Sequence, residues 1–150
     1  MGNKNFMQLA IDKARKDKTP FAACIVSDGK VIACEASSVF IDNDPTSHGE
    51  VHVIRVACRK LKKPDLHGYT LYTTCQPCAM CLMACYWAGI EKVVYGATLT
   101  DSKKAGFHEL DESGKLAKQI VRSRVKLHGG VMKKECLTLF KGSEQNKMSK

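Results

Sequence analysis

The sequence predicts an α/β chain built on a mixed sheet, and two stretches carry that prediction. Phe21-Ala-Ala-Cys-Ile-Val26 and Lys30-Val-Ile-Ala-Cys34 are short apolar runs joined by Ser27-Asp28-Gly29, where Asp-Gly favours a tight turn, so they pair antiparallel. From Ser47 to Gly96 the chain then alternates helix, strand, helix and strand, an order that implies parallel pairing through right-handed crossovers.

The opening helix is read over residues 5–16, where Phe6, Met7, Leu9, Ala10, Ile11 and Ala14 recur at helical spacing before Pro20. Asp42-Asn43-Asp44-Pro45-Thr46 is turn chemistry. Val51, Ile54, Val56, Ala57 and Leu61 restore a helical period as far as Lys63-Pro64. Tyr69 to Thr74 is β-rich, Met80 to Ala88 helical, and Lys92 to Gly96 a buried strand. In the remainder, Lys115 to Ile120 reads as a helix, Arg124 to His128 as a strand, Gly129-Gly130 as a turn and Val131 to Lys141 as a closing helix.

Composition narrows the class. The 150 residues, 44% hydrophobic and 26% charged, fit one globular domain over residues 1–142, with a frayed basic tail at 143–150. No run approaches the roughly 20 apolar residues of a membrane span, and Met1 to Asn5 lead into no signal-like stretch, so a cytoplasmic protein without membrane contact is expected. Eight cysteines would suggest disulfides in a secreted protein; here several lie in apolar segments and three are bunched, so all are expected as reduced thiols, some metal-bound. The net charge of +9 admits an acidic partner such as RNA, although the basic residues are spread along the chain.

The chemistry concentrates at two helix starts, His48-Gly49-Glu50 and Pro77-Cys78-Ala79-Met80-Cys81. Cys78 and Cys81, spaced i and i+3, share one face of a first turn, where the positive end of the helix dipole favours thiolates. Zinc accepts such a nitrogen and sulfur set, and three protein donors leave a place for water. A base is then needed to move that water's proton, and Glu50 is the candidate. Because residues two apart diverge by about 200° within a helix, His48 and Glu50 serve one site only if the metal lies off the helix end.

Each piece also has a plainer reading. Ser47 and Glu50 spell a capping box in which Glu50 only satisfies backbone donors. A Cys-x-x-Cys pair is also a redox motif, and Cys75, Cys78 and Cys81 form two overlapping pairs, of which Pro77 favours the second. His48 and His52, at i and i+4, would close a purely structural four-ligand zinc site with two cysteines. Together, however, H-x-E followed by P-C-x-x-C is the signature of zinc deaminases.

On these residues the chain resembles the cytidine deaminase-like superfamily, from about Thr19 to Asp101. Asn43-Asp-Pro-Thr-Ser-His-Gly-Glu-Val51 is similar to a segment of bacterial guanine deaminases and tRNA adenosine deaminases, which usually carry Ala in place of Gly49. Fungal cytosine deaminases share its His-Gly-Glu. Tyr72 to Leu82, Tyr86-Trp87-Ala88 and Thr100 to Phe107 look most like guanine deaminases, where Glu is usual in place of Gln76, whereas Val125 to Cys136 looks like the tRNA enzymes. The resemblance implies a three-layer α/β/α fold with a central five-stranded mixed sheet, one zinc ion held by His48, Cys78 and Cys81, Glu50 as proton shuttle, and a homodimer.

It also implies hydrolytic deamination of a nucleobase or related aminated heterocycle of the guanine deaminase type, with a tRNA adenosine or a cytosine substrate as the alternative. Ser37 stands where the purine deaminases place an asparagine, and a hydroxyl lacks the paired donor and acceptor of an amide. Glu109 matches the acidic residue that follows Ala-Gly-Phe, longer by one methylene. Ser37, Trp87, Phe107 and Glu109 are therefore the expected substrate contacts, with His52 and His108 as further neighbours. The C-terminal fifty residues hold twelve Lys or Arg against six Asp or Glu, which keeps a tRNA substrate in view.

Overall fold

The computed structural model describes residues 2–143, of which 111–114 are described by backbone alone, so the expected tail lies almost wholly outside the described residues. Five strands order as β2-β1-β3-β4-β5, namely β1 (Ala22–Ser27), β2 (Lys30–Ala36), β3 (Thr70–Cys75), β4 (Lys92–Ala97) and β5 (Lys126–His128). Strand β1 pairs antiparallel with both β2 and β3, while β3, β4 and β5 run parallel, as the alternation predicts. Asp28 and Gly29 both take positive φ, 49° and 73°, the two left-handed positions of a primed hairpin turn.

Alternate strand residues feed two cores. On one face α1 (Asn3–Lys16) and α7 (Lys133–Leu139) pack Phe6, Met7, Ile11, Cys136 and Phe140 on Val26, Tyr72 and Val94. On the other, α3 (Gly49–Leu61), α4 (Ala79–Trp87) and α6 (Asp111–Val121) pack Val53, Ala57, Leu82, Cys85, Ala117 and Val121 on Ile25, Leu71 and Val93. The expected three-layer sandwich is thus the observed one. Helix α7 rides so close to β4 that a Cβ on Gly96 would run into the Cys136 sulfur and stand 2.9 Å from its Cβ.

Two short helices escape the sequence pattern, α2 (Val39–Asp42) and α5 (Leu99–Lys104), each too brief to show a period. Helix α6 begins at Asp111, four residues before the expected start, and α7 is shorter than the expected 131–141.

One cysteine expectation is overturned. Cys24 and Cys34 face each other directly across β1 and β2 and are joined in a disulfide rather than held as thiols. The other six cysteines are free.

Strand directions place the site. The C-terminal ends of β2 and β3 and the N-terminal end of antiparallel β1 lie on the same sheet edge. The segments leaving that edge therefore converge, which is where α/β sheets collect ligands.

Candidate active site and metal centre

Helices α3 and α4 both start at this edge, and each is capped by a residue of the motif. His48 is the N-cap of α3, with extended backbone at φ −62° and ψ 156°, and Cys78 is the N-cap of α4 at φ −67° and ψ 174°. Pro77 consequently precedes the helix instead of forming its first turn. Since His48 is not helical, the angular divergence between it and Glu50 does not apply, and both side chains reach one place.

His48 Nδ1 lies 3.7 Å from Cys78 Sγ and 3.6 Å from Cys81 Sγ. Tetrahedral zinc with bonds of about 2.0–2.1 Å to nitrogen and 2.3 Å to sulfur separates its donors by roughly 3.6 Å. The three donor atoms lie within 4.8 Å of one another and so fit zinc in both chemistry and spacing. His52 is not part of the group, because its Nδ1 donates to the Ala36 carbonyl at 2.9 Å. Cys75 is also apart, buried on β3 with its thiol directed to the Thr98 carbonyl at 3.7 Å. The closed four-ligand reading and the first of the overlapping cysteine pairs thus find no support in this geometry.

The electrostatics match a cation site. The Cys78 thiol is brought down to about 4, because Cys81 hydrogen-bonds its sulfur and His48 lies beside it, outweighing burial. Cys81 is pushed well up by that same hydrogen bond and by burial. One proton is thereby held between the two sulfurs, where a divalent ion would replace it. His48 is raised, chiefly by its hydrogen bond with Cys78.

Glu50 is buried at 6% exposure and accepts a hydrogen bond from Thr73 Oγ1 at 3.2 Å. Burial first, and the negative charge at Cys78 second, raise its carboxyl above the ordinary carboxylate range. The capping-box reading fails: Ser47 is not the N-cap, α3 has no side-chain cap, and the Ser47 hydroxyl is shared with Ser38 at 2.7 Å. That bond, with Asp42 accepting from Ser38, ties the loop after β2 to the residue preceding His48. A complete capping box does occur, at Thr98 and Asp101 of α5.

These groups open into a cavity of about 200 Å³ whose lining includes His48, Glu50, Cys78, Ser37, Phe107 and Glu109. Glu109 accepts from the Ser102 hydroxyl at 2.7 Å, and Phe107 packs edge-on against Phe21 at 5.0 Å, with Phe140 behind both rings. His108 lines the cavity as well.

Trp87 does not reach the cavity. It lies six residues beyond Cys81, about 9 Å further along α4 at 1.5 Å per residue, and is 82% exposed. The sequence reading did not place Phe21, Val39, Phe40, Gln76 and Leu99 at the site; they line the cavity from loops and short helices without periodicity, and only Gln76, standing where guanine deaminases usually carry Glu, gave a signal. Gly49 meets β1 closely, since a Cβ there would come within 3.2 Å of Ala22 Cα and Phe21 O. An alanine at 49 requires β1 to yield by a few tenths of an ångström.

A five-stranded mixed sheet presenting one histidine and two cysteines beside a buried glutamate at two helix starts defines a zinc-dependent hydrolase. A family model, the cytidine and deoxycytidylate deaminase zinc-binding region, matches residues 2–97, and the chain belongs to that family of hydrolytic deaminases acting on carbon–nitrogen bonds. It is 42% identical over 114 residues to the guanine deaminase of Bacillus subtilis, covering 73% of each chain. It is likewise 42% identical over 97 residues to a tRNA-specific adenosine deaminase of Agrobacterium fabrum, covering 62% of this chain and 64% of that one. A solved structure from a study of tRNA:A34 deaminases, 32% identical, superposes with a TM-score of 0.75 over 90% of this chain and 98% of that chain. Among the described residues no helix is long and apolar enough to cross a membrane.

Proposed function

We propose that the protein hydrolyses the amino group of a free nucleobase of the guanine type, with residues 1–142 acting as one domain in the cytoplasm. The observation that carries this reading is the cavity: at about 200 Å³ it is smaller than the usual small-molecule pocket of about 300–1,000 Å³, and a second carboxylate, Glu109, shares its lining with Glu50. Such a space suits one heterocycle, and Glu109 accepts from its N–H groups. The likeness to a guanine deaminase supports the same choice.

His48, Cys78 and Cys81 hold the zinc ion, which when bound supplies the Lewis acidity that makes water a nucleophile at neutral pH. Glu50 takes the proton of the attacking water on a carboxylate oxygen and delivers it to the departing amine nitrogen. The hydrogen bond from Thr73 fixes the carboxylate for both transfers. Phe21 and Phe107, packed edge-on against each other, form an apolar wall beside the ring and exclude bulk water there. One water is consumed, a carbonyl replaces the ring C–NH2, and ammonia leaves.

Adenosine in tRNA is the second reading, favoured by the +9 charge and by the tRNA deaminase likeness. It too presents a single extruded base to the pocket, but it adds phosphate contacts whose affinity falls steeply with salt. Ammonia release from a panel of free bases, compared with an anticodon stem-loop at low and high salt, separates the two. Turnover of guanine that is indifferent to salt is expected; turnover of the RNA alone would replace the first reading with the second.

Trp87, Leu116 and Ile120 leave a large apolar area exposed on α4 and α6, and a homodimer would cover it. Sedimentation at micromolar concentration is expected to give twice the chain mass, and Trp87→Glu to shift it toward the monomer. A monomer throughout would exclude this use of the surface.

A further inference from the structure

Gln76 lines the cavity with a carboxamide that the reaction described above does not use. It follows β3 directly, and its backbone N–H donates to the Ala97 carbonyl at 2.8 Å, which anchors it between β3 and β4. The residue is 8% exposed and shares the cavity wall with Cys75, Cys78, Phe107 and Glu109. The carboxamide has no hydrogen-bond partner among the described residues, yet its nitrogen and oxygen are not sealed from solvent. The carboxamide therefore keeps some contact with solvent, and the residue lines the cavity. Buried carboxamides are costly when unpaired, so a ligand that pairs with this one is favoured over a ligand that does not.

A carboxamide offers one acceptor and two donors, which pair with an oxo group next to a ring N–H. A hydroxyl cannot make that pair of bonds, so Ser37, also on the lining, does not duplicate it. Glu109, an acceptor when ionised, reads donors only. Ser37 and Gln76 both depart from the pattern of the purine deaminases, and the departures are complementary: an amide is absent at 37 and present at 76.

We infer that Gln76 is the specificity-determining residue of the pocket, its carboxamide pairing with the oxo and N–H edge of a lactam base. The inference rests on the free-base reading and deepens it: heterocycles with an oxo group are preferred to those bearing only the amino group that leaves.

Guanine and 2-aminopurine test this, since they share the departing amino group and differ in the oxo group. With zinc-loaded full-length protein, kcat/KM is expected to favour guanine at least tenfold. Gln76→Met, similar in size and apolar, should cut that ratio by about 10- to 100-fold, mainly through KM for guanine, with zinc content and Tm retained. Gln76→Glu, which keeps the shape and removes both donors, should cut it as well and serves if the methionine variant does not fold. Equal losses on both bases, leaving the ratio intact, would make Gln76 structural and overturn the inference alone, as would a wild-type enzyme indifferent to the oxo group. A wild-type enzyme inactive on every free base would overturn the free-base reading and this inference together.

Discussion

Glu50→Gln is expected to lower kcat by about 10²- to 10⁴-fold while leaving zinc content and thermal stability close to wild type. The substitution keeps the acceptor for Thr73 Oγ1, so the side chain stays in place, but it removes the proton-carrying oxygen. Single-turnover kinetics with metal analysis of the same preparation reads the effect. Activity within a few-fold of wild type would remove Glu50 from proton transfer. The variant also has a signature in the metal-free protein. Glu50 is raised by burial first, so folding favours its neutral form more than the unfolded chain does; that contribution is full below the ordinary carboxylate range and is lost as pH rises through the raised value. Glu50→Gln should flatten that part of the stability curve.

Removal of the metal should abolish turnover and also lower Tm by on the order of 10 °C, restored on adding zinc back. The donors join segments 30 and 33 residues apart in sequence, from two helices separated by β3. A ligand present at a thousand times its dissociation constant adds about 4 kcal/mol to the folded state, and for a chain of this size each kcal/mol is worth roughly 2–4 °C. Cys81→Ala should behave as the metal-free protein does and fail to recover with added zinc. Calorimetry before and after chelation makes the measurement. An unchanged Tm and undiminished activity in chelator would mean that no metal is held at these residues.

The sheet and the metal donors were legible because they rest on local signals. The Asp28-Gly29 turn fixed an antiparallel hairpin, the alternation after Ser47 fixed parallel strands, and the spacing of Cys78 and Cys81 placed two sulfurs on one helix start. What could not be read depends on contacts between distant segments. The Cys24–Cys34 disulfide follows from strand register, which residue type does not reveal. The N-cap role of His48 arises because Ser47 is engaged by Ser38, nine residues earlier. Trp87 was misplaced because a motif match carries residue identity but not the direction of a helix face. Most of the cavity wall comes from loops, whose side chains obey no period.

Phe140, at the close of α7, backs both Phe21 and Phe107, two rings of the pocket wall. The last metal donor, Cys81, precedes this bracing ring by some sixty residues, so the ion and the base are gripped by different lengths of the chain. A chain cut short before Phe140 would keep every donor for its ion yet lose the brace that holds the aromatic wall upright.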